Sequence, residues 1–417
     1  MSHPLISSLQ ARLPETLHFL RSLVDINSHF DNADGVNENA RRIIAQFSPL
    51  GFQSHRALAS VPGRGEHLFL DSGGKGPAIA LVAHLDTVFT SQEEELHDFH
   101  WQEAPDGRIF GPGTLDIKGG TALIWLMLAT LAEESPELFR SVRWILAWNA
   151  EEEAAASRSF GAACLACFPK DLLAALVFEA DNAVRDEGIS LLNARKGSAV
   201  YRVEVAGRGA HAGARHGDGA NAIWQLARIV DRLQGMTDDA TELTINVGSF
   251  HGGKGANRVP HEAVADLQVR AYDRGVFEAA CAKIEALAGV GEITAARDGY
   301  PCTVTVKKMG SIGPWPQNEQ TDRLLSFWKK AGERLGLPVT WHPRGGVSDG
   351  NHLARHFPAL DALGPAGANT HASERSPDGA KEPEFVYAPS FVPKAAVNLT
   401  AIRLLVDSVR RESNLSS

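Results

Sequence analysis

Apolar residues along this chain occur in two distinct patterns. Continuous apolar runs at 77–83, 142–148 and 175–178 are typical of strands that are buried on both faces, as in a parallel sheet covered by helices. Residues 119–134, between the first two runs, have the length and composition of a helix. This alternation predicts an α/β domain with a mainly parallel sheet and helices on both faces.

The pattern changes near residue 197, where apolar and polar residues begin to alternate as in half-buried strands. The order that follows is strand, helix, strand, strand, helix, strand, which is the ferredoxin-like βαββαβ arrangement. The six predicted elements are residues 198–207, 220–236, 243–250, 262–273, 275–290 and 302–309.

Helical patterns resume after this segment, at 322–336 and 393–412. A length of 417 residues favours two or three domains. We therefore predict that residues 1–194 and 308–417 form one α/β domain, and that residues 195–307 form a smaller domain inserted into it.

Composition excludes several classes of protein. With 44% hydrophobic and 22% charged residues, the chain has the make-up of an ordinary globular protein. A net charge of −9 argues against a sequence-independent nucleic-acid binder. The sequence has no apolar run of about eighteen residues and no signal-peptide core, so we expect a cytoplasmic protein without a membrane span. Cys164 and Cys167 form a single CxxC, which is better explained as two small buried residues than as a redox or zinc site.

Polar side chains follow the predicted buried strands. His84 and Asp86 end the first strand and point the same way, because side chains alternate along a strand. Asp116 lies in a glycine-rich loop just before a helix. Taken alone, the first pair is equally compatible with a surface pair, and Asp116 with a helix-capping residue.

Three glutamates, 151–153, follow the second strand, Glu179 follows the third, and His371 lies in a later polar loop. A glutamate triplet alone is typical of the first turn of a helix, whose dipole favours carboxylates. In open α/β sheets, however, functional residues gather at the carboxyl ends of the strands. Histidines and carboxylates gathered there suit zinc, and also cobalt or manganese.

The sequence also resembles a known family. The motifs AHLDTV, GPGTLDIKGG, NAEEE, FEADN, GRGAHAGA with GANAI, NRVP, GGVSDGNH and GPAGANTHASE follow one another as in the two-zinc metallopeptidases. That family includes glutamate carboxypeptidase, acetylornithine deacetylase, succinyl-diaminopimelate desuccinylase and the aminoacylases. The resemblance covers residues 20–405, and it is strongest to glutamate carboxypeptidase.

The resemblance implies a role for each motif residue. One metal would be held by His84 and Glu179 and the second by Glu153 and His371, with Asp116 bridging both. Asp86 would orient His84. The register set by Asn149 makes Glu152 the general base, and it places Glu151 where the family usually has aspartate.

The resemblance extends to the predicted inserted domain. It implies that His211 reaches across a dimer interface to stabilise the oxyanion, and that Asn257 and Arg270 bind a substrate carboxylate. The alternatives are a capped loop residue for His211 and a strand-surface ion pair for Arg270. Two other histidines, His97 and His100, are predicted to be surface residues.

Two features depart from the family pattern. Residues 154–157 read AAAS where glycine and serine are usual, and the stretch 372–383 is longer than usual.

These observations predict a metal-dependent hydrolase that cleaves an amide bond next to a free carboxylate. The nucleophile would be a hydroxide held by two Zn²⁺ ions, for which Co²⁺ or Mn²⁺ could substitute, with Glu152 as base. The expected substrate is a small peptide or an N-acyl amino acid, and the expected assembly is a homodimer formed through the inserted lid domain. An N-acyl-amino-acid deacylase with the same machinery is the alternative, and a catalytically silent binding protein on this fold is a third possibility.

Overall fold

The structure is a computed structural model that describes residues 4–154, 158–181 and 188–416. Its helices are α1 Pro4–Val24, α2 Ala33–Phe47, α3 Ser91–Leu96, α4 Lys118–Glu134, α5 Pro136–Arg140, α6 Arg158–Cys167, α7 Ala222–Gln234, α8 Arg274–Glu285, α9 Glu319–Leu335, α10 Asp349–Leu353 and α11 Phe391–Ser416. Its strands are β1 Gln53–Leu58, β2 Glu66–Asp71, β3 Ala78–His84, β4 Gln102–Glu103, β5 Arg108–Phe110, β6 Arg143–Asn149, β7 Ala174–Val177, β8 Ile189–Arg195, β9 Gly197–Ala206, β10 Thr244–Gly252, β11 Glu262–Ala271, β12 Gly289–Thr294, β13 Pro301–Ile312, β14 Val339–Arg344, β15 Ala359–Leu360, β16 Gly367–Ala368 and β17 Phe385–Tyr387.

The chain divides into two compact units. Unit 1 comprises Met1–Asn193, Gln317–Pro343 and Ser348–Ser417, and unit 2 comprises Ala194–Pro316 and Arg344–Val347. The chain therefore runs from unit 1 into unit 2 and then back into unit 1. Four later residues, 344–347, also belong to unit 2. None of the helices in the described part of the chain combines the length and apolar content that a membrane crossing requires.

Unit 1 is built around a mixed sheet with the strand order β1-β2-β6-β3-β7-β15. The strands β6, β3, β7 and β15 are parallel, and β2 and β1 extend the sheet with antiparallel pairing. Every residue of β3 is buried, as its continuous apolar run predicted. This confirms the α/β class and the parallel centre of the sheet, and it adds an antiparallel edge.

Helix α4 is buried along nearly its whole length, from Lys118 to Leu131, and packs against α1, α11 and β3. Its N-terminal turn approaches the backbone after β7 so closely that a Cβ on Gly120 would lie 2.2 Å from the carbonyl oxygen of Phe178. Glycine is therefore required where the helix meets the strand end. The close packing brings the start of α4 beside the segment that carries Glu179.

Unit 2 contains an antiparallel sheet in the order β10-β11-β9-β13-β12, with α7 and α8 as its helices. Strands β9, β10, β11 and β13 with the two helices give the predicted ferredoxin-like order. The predicted helix 275–290 is too long at its end. Helix α8 stops at Glu285, and residues 289–294 form β12, an additional edge strand that pairs with β13.

Candidate functional site

Three strand ends place the first polar residues of the site. In the sheet, His84 at the end of β3 pairs with Asn149 at the end of β6, and Val82 pairs with Val177 at the end of β7. Glu179 follows Val177 by two residues, which brings it level with His84 at the same edge of the sheet. The carboxyl ends of these parallel strands therefore carry the polar side chains, as the sequence predicted.

His84 is fixed by its surroundings on both ring nitrogens. Its Nδ1 lies 2.9 Å from the backbone carbonyl oxygen of Asp86, which can only accept, so Nδ1–H donates. Nε2 faces two carboxylates, with Asp116 Oδ1 at 3.0 Å and Glu179 Oε1 at 4.0 Å. A histidine oriented in this way through one nitrogen presents the other to a metal ion.

Asp116 lies between the two histidines of the site. Its Oδ1 contacts His84, and its Oδ2 lies 3.4 Å from Nε2 of His371. Nε2 of His371 also lies 3.2 Å from Oε2 of Glu153. Asp116 precedes α4 by two residues, where the positive end of the helix dipole favours a carboxylate.

These contacts define two groups of side chains that share one carboxylate. His84, Asp116 and Glu179 form the first, and Asp116, Glu153 and His371 form the second, each with its ligand atoms within 4.8 Å of one another. Tetrahedral zinc with bonds of about 2.0–2.1 Å places its ligand atoms roughly 3.3 Å apart. The observed nitrogen–oxygen separations of 3.0–4.0 Å match that spacing, so the residues fit a pair of metal ions that share Asp116.

The histidine protons show how negative this pocket is. Burial alone would lower the pKa of His84, but its bonds to Asp116 and Asp86 hold it well above 6.5. The bonds of His371 to Asp116 and then Glu153 raise its pKa to about 11. Without a metal, therefore, both imidazoles retain protons that balance the carboxylates, and a bound cation would take over that charge.

Glu152 is close to both groups but belongs to neither metal position defined above. Its carboxylate comes within 4.8 Å of ligand atoms of His84 and Glu153. Burial first, and then the charges of Glu179 and Glu153, raise the pKa of Glu152 well above 4.5. A raised pKa makes a carboxylate a stronger base, which suits a group that takes a proton from water and later returns it.

Asp86 supports the site through the backbone as well as through His84. Its two carboxylate oxygens accept the N–H groups of Glu152 at 3.2 Å and Glu153 at 2.9 Å. Its Oδ1 also lies 3.4 Å from Nδ1 of His84. One buried carboxylate therefore links β3 to the loop after β6.

His371 adopts an uncommon backbone conformation, with φ at +66°. Its N–H lies 3.4 Å from Oε2 of Glu384, and Oε1 of Glu384 accepts the N–H groups of Leu115 and Asp116 at 3.0 and 3.3 Å. Burial and the charge of Asp116 raise the pKa of Glu384 to about 8, although the three backbone bonds act to lower it. Glu384 was not among the predicted site residues. It follows a long polar stretch, and its sequence context gives no sign that it accepts backbone hydrogen bonds.

The long stretch 372–383 lies beside the second group. The N–H of Glu384 donates to the carbonyl oxygen of Ala372 at 2.7 Å, which closes the base of this loop. A cavity of about 670 Å³ opens next to His371, between the loop and α3. The extra residues thus border the site without separating His371 from its partners.

Several other expectations can be compared with the structure. Glu151 is completely buried, and residues 151–154 form a bend and a turn rather than a helix, so the triplet is not an exposed first helical turn. Residues 155–157 of the AAAS stretch, and Asn182 of FEADN, lie outside the described residues. His100 is exposed, whereas His97 is half-buried and contacts Ser373. In the described part of the chain, neither belongs to the two groups that share Asp116 or to the cluster of His84, Glu152 and Glu153.

The remaining predicted site residues lie in unit 2. His211 is exposed, and its Nδ1 accepts the N–H groups of Gly213 at 3.2 Å and Ala214 at 3.0 Å. This leaves Nε2 to carry the ring proton as a donor. Asn257 is exposed on a neighbouring loop, where its backbone carbonyl oxygen accepts the N–H of Ala212.

Arg270 does not form the strand-surface ion pair that was its alternative explanation, as far as the described residues go. It is half-buried on β11, and its Nη1 donates to the carbonyl oxygen of Gly345 at 3.0 Å. Burial lowers its pKa. The remaining guanidinium N–H groups leave it suited to bind a carboxylate.

Comparisons with known proteins agree with this geometry. The family model of the peptidase dimerisation domain, of the M20 type, matches residues 193–291. The chain is 25% identical to carboxypeptidase G2 from Pseudomonas sp. strain RS-16 over 363 residues, covering 87% of this chain and 84% of that protein. It is 28% identical to succinyl-diaminopimelate desuccinylase from Leptothrix cholodnii over 343 residues, covering 79% and 86%.

Solved structures show the same fold. The aminopeptidase PepT from Bacillus cereus superimposes with a TM-score of 0.72 at 21% identity, covering 94% of this chain and 98% of that one. The YXEP protein of Bacillus subtilis, described as a dinuclear metal binding peptidase from the M20 family, gives a TM-score of 0.64 at 15% identity, covering 95% and 99%. Residues 193–291 thus match the M20 peptidase dimerisation domain, and most of the chain is similar to enzymes that hydrolyse peptide or related amide bonds. Together with the paired candidate metal groups, these similarities show that the chain is a hydrolase.

Proposed function

We propose that this hydrolase is a carboxypeptidase of the glutamate carboxypeptidase type, which cleaves an amide bond next to a free carboxylate. The observation that carries the proposal is the pair of side-chain groups that share Asp116. The similarity to carboxypeptidase G2 supports the carboxypeptidase reaction.

In this proposal each group holds one Zn²⁺, for which Co²⁺ or Mn²⁺ could substitute. His84, Asp116 and Glu179 hold the first ion, and Asp116, Glu153 and His371 hold the second. When bound, two such cations polarise the scissile carbonyl and make a water molecule acidic near neutral pH.

The protein's own groups carry the proton steps. Glu152 accepts the proton of the attacking water and delivers it to the leaving amine. Asp86 fixes the ring of His84 and the backbone of Glu152, which keeps the base and the first metal position in register. These proton steps involve only residues at the strand ends and in the loops that follow them.

Unit 2 supplies the substrate contacts in this proposal. Nε2–H of His211 donates to the oxyanion, in the active site of the partner subunit of a homodimer. Asn257 and Arg270 bind the carboxylate of a small peptide or N-acyl amino acid. The match to a peptidase dimerisation domain supports a dimer formed through this unit.

A second candidate is an N-acyl-amino-acid deacylase with the same residues. The similarity to succinyl-diaminopimelate desuccinylase, at 28% identity, favours it as strongly as the carboxypeptidase is favoured. A panel of dipeptides ending in glutamate, N-acetyl and N-succinyl amino acids, assayed with Zn²⁺, Co²⁺ or Mn²⁺, separates the two. Higher kcat/KM on the acyl amino acids would replace the first assignment with the second.

Substitution of the base tests the chemistry common to both candidates. Glu152→Ala should lower kcat by about 100- to 10,000-fold while the protein still binds two metal ions per chain. Glu333→Ala, an exposed glutamate on α9, is the matched control and should retain wild-type turnover. Normal turnover in Glu152→Ala would refute its assignment as the base. Far fewer than two metals per wild-type chain after resupply would instead favour a silent binding protein.

A further inference from the structure

The loop that carries Glu152 is held by side chains at four successive backbone N–H groups. We call residues 149–153 the base loop. The N–H groups of residues 150–153 donate, in order, to His67 Nδ1 at 3.1 Å, to Asn149 Oδ1 at 3.0 Å, and to the two oxygens of Asp86. Side-chain acceptors replace the helix or sheet bonds that this short turn cannot make.

The acceptor at the start of the loop belongs to a buried network. His67, on β2, is completely buried, and its Nε2 lies 2.8 Å from Oγ of Ser159. Ser159 Oγ donates to Oε1 of Glu151 at 2.7 Å. Oε1 of Glu151 also accepts hydrogen bonds from the backbone N–H of Ser60 at 2.8 Å and from the hydroxyl of Ser60 at 2.5 Å. Glu151 itself has no exposed surface, so it anchors the loop from within.

The direction of these hydrogen bonds follows from chemistry. Because Nδ1 of His67 accepts the N–H of Ala150, the ring proton must be on Nε2, which donates to Ser159. The hydroxyl of Ser159 then has its own proton free to donate to Glu151. Burial lowers the pKa of His67 to about 4, against the charges of Glu151 and Asp86, so the imidazole is neutral and keeps this arrangement at neutral pH.

We propose that His67 is a positioning residue, which fixes the base loop through Ala150 and, by way of Ser159, through Glu151. The proposal rests on the assignment of Glu152 as the base. His67 lies on a strand at the antiparallel side of the sheet and contributes no atom to the candidate metal groups. Its loss should therefore affect the alignment of Glu152 rather than the binding of metal.

The decisive variants separate these roles. His67→Phe keeps an aromatic ring against Phe160, whose ring centroid lies 5.3 Å away, but removes the acceptor for Ala150 and the donor to Ser159. His67→Asn places an amide oxygen near the former Nδ1 and so restores only the first bond. His55→Phe, an exposed histidine on the adjacent strand β1, is the matched control.

For His67→Phe we expect kcat to fall by about 10- to 100-fold, the range for one buried donor left without its partner. KM should change by less than about threefold, and two metals should remain bound. The kcat of His67→Asn should be roughly tenfold higher than that of His67→Phe, and the kcat of His55→Phe should match the wild type. This division between kcat and KM, with rescue by the conservative variant, is not expected from a general loss of packing.

Unchanged kcat in a folded, metal-loaded His67→Phe would overturn the proposal, as would equal losses in the asparagine and phenylalanine variants. Should His67→Phe fail to fold, the test rests on His67→Asn and Ser159→Ala. We expect Ser159→Ala to lower kcat several-fold, and a wild-type kcat in both of these variants would refute the proposal. Glu152→Ala, measured in the same series, distinguishes the two hypotheses. If it retains turnover the proposed base is wrong, whereas if it loses turnover and the His67 variants do not, only the positioning role fails.

Discussion

Glu384 offers a direct test of how the two candidate metal positions are kept together. One buried carboxylate accepts the backbone N–H groups of Leu115 and Asp116 through one oxygen and that of His371 through the other. Asp116 is shared by both metal groups, and His371 belongs to the second. The substitution Glu384→Gln preserves the shape of this side chain but makes one of its two terminal atoms a donor.

The size of the effect follows from that geometry. If the amide oxygen of glutamine faces Leu115 and Asp116, its NH₂ group faces the N–H of His371, and two donors oppose each other. Rotating the amide by 180° moves the conflict to the other segment. Either orientation leaves at least one backbone N–H facing another donor in a fully buried place, which costs about 1–3 kcal/mol. A change of about 10- to 100-fold in an equilibrium constant falls within that range.

We expect the loss to appear as weaker binding of the second cation. His371 holds an uncommon positive φ and has a half-exposed side chain, so its position depends on the hydrogen bond of its own N–H. Titration of the metal-stripped protein with Zn²⁺ in competition with a chromophoric chelator should resolve one site near wild-type affinity and one weakened by about 10- to 100-fold. Glu374→Gln, an exposed residue of the same loop that pairs with Lys381, should leave both affinities unchanged. Two wild-type affinities in folded Glu384→Gln would refute the reasoning.

Three further predictions concern stability and assembly. The free energy of unfolding of the metal-free protein should fall as the pH rises from about 6.5 to 7.5. In this window the folded state binds more protons than the unfolded state, because the pKa of Glu384 is raised to about 8 and that of Asp349 to about 7. A melting temperature that rises with pH would contradict this prediction. Lys394→Met removes the cation from the nearly fully buried ion pair of Lys394 with Asp181, so chemical denaturation should show a loss of about 3–5 kcal/mol. A loss below about 1 kcal/mol would mean that the other contacts of Asp181 compensate for the lost charge. Coexpression of His211→Ala with Glu152→Ala chains should restore part of the activity if His211 serves the partner subunit, and no rescue in demonstrably mixed dimers would place its action within its own chain.

The side chains of the candidate metal groups could be singled out in the sequence because two independent constraints act on them. Each must be a histidine or a carboxylate, and each must lie at or just after the end of a buried strand. His84, Glu153 and Glu179 satisfy both, and the continuous apolar runs that precede them are visible without a structure. The register of β3 with β6 and β7 then brings them to one edge.

The same reasoning was less successful in unit 2, where edge strands carry a weaker pattern. The residues of β12 include two glycines and a glutamate, and only Ile293 is buried. Without regular alternation, its first two residues were included in the predicted helix 275–290, and its remaining residues were assigned to no element. The helix ends at Glu285 in the structure, and the following residues gain their conformation from pairing with β13, a contact that local sequence does not encode.

Supporting residues such as His67 and Glu384 were missed for a different reason. They act on backbone N–H groups, and almost any polar side chain can accept from one, so residue type carries little information. What selects them is the position of donors left without partners in a tight turn, at the base loop and around Leu115 and His371, and those positions exist only once the chain is folded. Glu151 illustrates the point. Its neighbours in sequence suggested an exposed helix start, but in the structure it is a buried acceptor of hydrogen bonds from Ser60 and Ser159. Candidate ligands can therefore be proposed from residue type and strand ends, whereas the residues that hold such side chains in place are determined by the tertiary fold.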